Sequence, residues 1–312
     1  MRRITVVVVV VVVVAVVAAS CGGSDGDKEA RTPSTTAEPA SPSAAAPGTY
    51  EVGELTETFV DESRPTESGT EQGNAPTRTL VTEIRYPQGD GPFPLIVLSH
   101  GQTGHPNKFT QLSTAWASAG FVVAGPVFPL TSNQAPVQAV GDYVNQPADV
   151  SFVIDRMLAR SDDDDGPLAG RVDAEHIGVA GLSLGGATVY GIAFDNCCHD
   201  DRVDAALVMA GYALPYDGEY EFPSVPLLII HGNGDARGRD PYAMASSPKY
   251  LMTIERPTHS PPFEDTPDPA DELVVTVSVD FFNGYLYEQP DALDALSTDA
   301  AVPGVTTFEQ QR

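Results

Sequence analysis

Residues 177–186 read Ile-Gly-Val-Ala-Gly-Leu-Ser-Leu-Gly-Gly, and the remainder of the chain is read outward from them. Ile177 to Ala180 is a short apolar run of strand length and composition. It passes directly into Gly181-Leu182-Ser183-Leu184-Gly185, and Ala187 to Phe194 continues as a helical segment. A bare G-x-S-x-G carries little information. Strand, motif and helix in that order form the context of a serine raised on a sharp turn. Such a turn strains the serine backbone and crowds the positions two before and two after it, where Gly181 and Gly185 stand. The helix start then offers free backbone N–H groups and a positive dipole end beside the serine oxygen. The plainer alternative is a Gly-rich turn before a helix, and the strand entering it weighs against that.

On either side of this elbow the chain alternates strand and helix signals. Leu80 to Tyr86 alternates apolar and polar residues as a half-exposed strand, and residues 49–60 hold a weaker strand signal before it. Leu95 to Leu98, Phe121 to Ala124, Val203 to Met209, Leu227 to Ile230 and Tyr250 to Ile254 read as buried strands. Helices are expected over Phe109 to Ala119, Ala148 to Arg160 and, as the last element, Asp271 to Phe282. Strands without clean alternation, separated by helices, indicate an α/β fold with a mostly parallel sheet covered on both faces.

The chain has 312 residues, 42% of them hydrophobic, with 43 acidic against 17 basic residues and a net charge of −26. That charge repels nucleic acid and anionic membrane surfaces and argues against both as partners. The N-terminus reads as a targeting segment: Arg2 and Arg3, an apolar run from Val6 to Val17, then Ala18-Ala19-Ser20 before Cys21. Small residues before a cysteine resemble the processing site of bacterial lipoproteins, which implies cleavage after residue 20 and a diacylglyceryl anchor on Cys21. Ordinary secretory cleavage and a retained membrane helix are the alternatives, the latter disfavoured by length. Residues 21–48, rich in Ser, Thr, Ala, Pro and Gly, read as a flexible tether, and residues 49–312 as one catalytic domain. The expected location is the outer face of the cytoplasmic membrane.

A serine hydroxyl needs a base to take its proton and an acid to orient the base. With an elbow of this kind the partners follow in the order nucleophile, acid, base, on loops after strands. Asp235 follows the strand Leu227 to Ile230, and His259 is the histidine lying beyond it, just after Tyr250 to Ile254. Asp240 is the fallback acid. Leu184 N–H and Gln102 N–H, the latter after the strand Leu95 to Leu98, are the candidate oxyanion donors, each expected to contribute about 3 kcal/mol. His100 and His231 are read as braces for their loops. The run Asp162 to Asp165 is read as a solvated charge cluster rather than a calcium site. Cys197 and Cys198 lie at the far end of a helix about 18 Å long, away from Ser183. They form either a vicinal disulfide or free thiols, with no part in catalysis.

Phe93 to Gly101, Gly181 to Gly186, His231 to Asp235, and His259 together resemble the α/β-hydrolase superfamily. Over roughly residues 76–288 the chain is similar to serine esterases of the dienelactone-hydrolase-like, platelet-activating-factor-acetylhydrolase-like and polyester-hydrolase (cutinase-like) groups. The resemblance implies an α/β-hydrolase fold and an ester hydrolase. Ser183 stands where dienelactone hydrolases carry cysteine, and Gly211-Tyr212 where polyester hydrolases usually carry tryptophan.

The expected function is an extracytoplasmic serine carboxylester hydrolase acting on small or polymeric esters through an acyl-enzyme, with no metal or organic cofactor. An acyltransferase with the same residues is the first rival and a non-catalytic binding lipoprotein the second. Residues 210–226, the connection after Val203 to Met209, are too few for a helical lid, so no large cap is expected. Tyr212, Tyr216 and Phe222 in that connection are candidates for an aromatic rim. The oligomeric state stays open.

Overall fold

The computed structural model describes residues 49–312. The proposed leader over residues 1–20, the Cys21 anchor and the tether over residues 21–48 lie outside the described residues.

Apolar runs that are buried on both faces have nowhere stable to lie except between layers of helices. Six such runs form the centre of a nine-stranded sheet of order β1-β2-β4-β3-β5-β6-β7-β8-β9. They are β3 (Phe93–Ser99), β4 (Val122–Val127), β5 (Val172–Leu182), β6 (Val203–Met209), β7 (Leu227–Gly232) and β8 (Lys249–Ile254), all parallel to their central neighbours. β1 (Val52–Asp61) and β2 (Arg78–Pro87) pair antiparallel with each other, and β2 joins β4 antiparallel. β2 shows the expected alternation over its first half, with Leu80, Thr82 and Ile84 buried and Val81 exposed, but it breaks at the end, where Arg85 is buried and Tyr86 half-buried.

Helices cover both faces. Leu95 and Val97 of β3 face a core shared with α2 (Gln146–Asp162) and α3 (Leu184–Phe194), whereas Ile96 and Leu98 face one shared with α1 (Thr110–Ser118) and α5 (Asp271–Leu286). On the second face Trp116 Nε1 donates to Ser278 Oγ at 2.8 Å, and its ring stands edge-on to Phe282 at 5.5 Å. The indole is thus fully buried without an unmet donor. A short helix, α4 (Arg239–Met244), lies between β7 and β8 in the chain.

Two sequence expectations need correction. Asp271 to Phe282 is not the last element: α5 runs on to Leu286, and α6 (Pro290–Asp299) and β9 (Thr306–Gln311) follow. β9 pairs antiparallel with β8. As an edge strand with one buried residue, Thr306, it has no apolar run to announce it; Phe308 holds it by stacking on Tyr250 at 6.0 Å. β5 is also longer than the apolar run: it starts at the buried Val172, and Asp173 to His176, half-buried or exposed, interrupt the apolar pattern.

Parallel strands place all their carboxyl ends on one edge of the sheet. The loops after β3, β5, β7 and β8, which carry Gln102, Ser183, Asp235 and His259, therefore gather on that edge.

Candidate active site

Ser183 leaves β5 and caps α3 with φ 56° and ψ −111°, a conformation that non-glycine residues avoid. Its amide donates to Met209 O of β6 at 2.9 Å, and Ala187 N donates back to its carbonyl at 3.2 Å, so both sides of the turn are pinned. A side chain at Gly185 would come 2.1 Å from Ser99 O, and one at Gly181 would come 2.2 Å from Gly185 O. Only hydrogen atoms fit there, which is the physical content of the glycine spacing.

From this turn Ser183 Oγ lies 2.9 Å from His259 Nε2, across a sequence separation of 76 residues. That is the distance at which the hydroxyl donates to an unprotonated ring nitrogen. The loop bearing His259 packs tightly against the end of β7: a Cβ on Gly232 would lie 2.5 Å from Thr258 O. The other ring nitrogen, Nδ1, stands 3.4 Å from Asp235 Oδ2. Asp240, the fallback acid, is exposed in the first turn of α4.

Arg237 is the residue sequence reasoning missed. Its Nε donates to Asp235 Oδ1 at 3.0 Å and its Nη2 to Oδ2 at 3.2 Å, and its guanidinium lies 4.1 Å over the Tyr212 ring. Burial pushes the Asp235 carboxyl up, but the Arg237 hydrogen bonds and charge outweigh it and hold the group below the usual carboxylate value. The Asp235-Ala236-Arg237 spacing was the available signal, and a basic residue two places from an acid is too common to have singled it out. Arg237, Asp235, His259 and Thr258 wall an open hollow of about 470 Å3.

The two bracing histidines have their ring nitrogens occupied. Phe128 N donates to His100 Nε2 at 3.1 Å, which leaves Nδ1–H to donate to Gly101 O at 2.8 Å. Full burial lowers the His100 pKa to about 4, so the ring is neutral near pH 7. His231 bridges Asp235 O through Nδ1 and Thr253 Oγ1 through Nε2, and burial lowers its pKa too. It thereby fixes the backbone of the Asp235 loop.

Of the two candidate oxyanion donors, Leu184 occupies the first helical position of α3, where the N–H has no intrahelical acceptor. Gln102 follows Gly101, at which a Cβ would lie 3.3 Å from Ser183 Cβ. The Gly101 backbone and the Leu184 N–H therefore border the serine, with Gln102 next in the chain.

The aromatic rim is corrected in part. Phe222 turns inward, stacking on Phe194 at 5.2 Å, and is buried. Tyr216 packs over α3, its hydroxyl donating to Ala187 O at 2.9 Å. Tyr212 alone stays beside the site, under Arg237. The loop after β4 meets the β6–β7 connection through Tyr143 and Tyr216, whose rings lie 5.4 Å apart. No helix occurs between β6 and β7.

Cys197 and Cys198 are joined in a disulfide just beyond α3. Asp163, in the acidic run, pairs with Arg160 at 3.3 Å. Among the described residues that run supplies no cluster of metal-ligating side chains.

No curated protein matches the chain at a significant level. The family model described as Chlorophyllase matches residues 45–210, just over half of the 312 residues. That stretch carries Gln102, Ser183 and Leu184 and ends before Asp235 and His259. With a nine-stranded, mostly parallel sheet under an elbow serine, and a matched stretch running from before β1 to just past β6, the chain belongs to the chlorophyllase family of α/β-hydrolase-type esterases.

Proposed function

We propose that the protein is a serine carboxylester hydrolase, held outside the cytoplasm by a lipid on Cys21. The observation that carries the catalytic reading is the 2.9 Å approach of His259 Nε2 to Ser183 Oγ on a strained elbow. Ser183 Oγ attacks the ester carbonyl carbon as His259 Nε2 takes its proton. The negative charge that collects on the carbonyl oxygen meets the N–H groups of Leu184 and Gln102. Collapse expels the alcohol, which leaves with the proton from His259 and a covalent acyl-serine behind it. Water, deprotonated by the same nitrogen, then attacks the acyl-serine and releases the acid. Asp235 keeps the ring in the tautomer whose Nε2 is free and offsets the charge of the imidazolium.

The resemblance to serine esterases of several groups supports the ester as substrate class. The open hollow beside His259 supports access without a cap. The residues before Cys21 support an extracytoplasmic, tethered form.

The test is turnover of chromogenic esters of increasing acyl length by wild type and Ser183→Ala. The variant should keep its fold and lose several orders of magnitude in kcat. A folded variant that keeps about a tenth of the rate would overturn the assignment. Added alcohols distinguish hydrolysis from acyl transfer, the former releasing free acid as the main product.

A further inference from the structure

Beyond α3 the chain turns back through Asp195-Asn196-Cys197-Cys198. Asp195 is 1% exposed. Its Oδ1 accepts the Cys197 amide at 3.0 Å, and its carbonyl accepts the Cys198 amide at 3.1 Å. Its second carboxyl oxygen, Oδ2, is buried with no hydrogen-bond partner among the described residues. An unmet buried acceptor costs free energy and calls for a reason. A carboxyl oxygen of Asp195 and the two sulfurs all lie within 4.8 Å of one another. The segment carrying Gly218 packs against the carboxyl, since a Cβ there would lie 2.2 Å from Asp195 Oδ1. The outer side is open: Cys197 is exposed, and both cysteines border a surface hollow of about 450 Å3.

We propose that Cys197, Cys198 and Asp195 become, on reduction of the disulfide, a binding site for one thiophilic divalent cation of the zinc and cadmium class. Two thiolates and a carboxylate oxygen form a donor set that such cations prefer to calcium or magnesium. Zinc sits about 2.3 Å from sulfur and about 2.1 Å from a carboxylate oxygen, with water completing the tetrahedron. Bound through Oδ2, the cation would give that buried oxygen its missing partner, while Oδ1 keeps the Cys197 amide.

The chemistry balances in two steps. A dithiol reductant gives two electrons and two protons to the Cys197–Cys198 bond, which opens to two thiols as the reductant closes to its own disulfide. The cation then displaces both thiol protons, so binding weakens as pH falls. The site stands at the opposite end of α3 from Ser183 and takes no part in ester turnover.

The test uses the full chain, reduced with a phosphine under anaerobic conditions and titrated with cadmium. The expected result is one cadmium per chain and a thiolate-to-cadmium charge-transfer band that the oxidised protein lacks. Cys197→Ser/Cys198→Ser, which retains Cys21, should lose the band. Asp195→Asn keeps the acceptor for the Cys197 amide and should keep the band while affinity drops by about tenfold or more. X-ray absorption of the cadmium-loaded wild type reads the same point should that variant not fold: sulfur and oxygen neighbours are expected. A reduced protein with no more band than the double-serine variant overturns the proposal. So does unchanged affinity in Asp195→Asn, or a coordination sphere of sulfur alone.

Discussion

Arg237 holds both carboxylate oxygens of Asp235, at 3.0 and 3.2 Å, while His259 reaches the same carboxyl only at 3.4 Å. The cation and the imidazole compete for one acid. Arg237→Gln removes a positive charge beside the ring and frees the carboxylate for it, and both changes favour the protonated ring. A base must be unprotonated to act. The acidic limb of the kcat/KM profile should therefore lie at higher pH in the variant than in wild type. An acidic limb that stays in place, or moves to lower pH, would show that Arg237 does not tune the pair.

Asp235→Asn tests the acid itself. It preserves the shape but lets the ring adopt the wrong tautomer, and kcat should fall by about 10⁴. Asp240→Asn, on the exposed start of α4, should stay within about twofold of wild type. Parallel assays of the two variants on one ester decide between the acids.

The elbow glycines differ sharply from Gly141. Gly185→Ala would drive a methyl to 2.1 Å from Ser99 O, a backbone atom that has no room to yield. We expect a loss of about 3 kcal/mol or more in denaturant unfolding, or no folded protein. Nothing lies within 4 Å of a Cβ on Gly141, so Gly141→Ala should be neutral or stabilise by about 0.5 kcal/mol.

Arg78, fully buried at the start of β2, binds Asp142 and Asp149 through four hydrogen bonds of 2.6 to 2.9 Å. Burial pushes the Asp149 carboxyl up by more than the neighbouring arginines, Arg78 first, pull it down. Arg78→Ala leaves Asp142 buried without its cation and Asp149 with Arg64 alone, and should cost about 3–5 kcal/mol by chemical denaturation. Raising the salt concentration should not mimic this loss, because a buried pair is poorly screened.

Asp280 on α5 faces Asp299 on α6, and burial together with that second acid raises its pKa from near 3.8 to about 7. Between those values the folded chain holds a proton that the unfolded chain releases. Stability from this group therefore falls as pH rises from about 4 to about 7. Asp280→Asn should raise Tm more at pH 8 than at pH 5. Equal shifts at both pH values would count against the pairing.

Much of this architecture is carried by the chain locally. Strands β3 to β8 each contain an apolar run because both faces of the sheet are covered, and that burial pattern is written in composition. The elbow is equally local, since Gly181, Ser183 and Gly185 fall within one turn. The order Ser183, Asp235, His259 on the loops after β5, β7 and β8 follows from strand order alone. Tertiary structure decided what depends on partners distant in sequence. β9 is a polar edge that becomes a strand only because β8 offers it a ladder. Phe222 looked like a rim residue until Phe194, 28 positions earlier, drew it inward. Arg78 finds its acids 64 and 71 residues away, and a lone arginine in a strand pattern gives no hint of them. Arg237 shows the limit most plainly: two residues from Asp235 in the chain, it competes with a histidine that only the packing of the β8 loop onto Gly232 brings within reach. Burial and backbone strain are set by nearest neighbours and can be read along the chain. Ion pairs and hydrogen bonds need two groups at a set distance, and only the folded sheet supplies that distance.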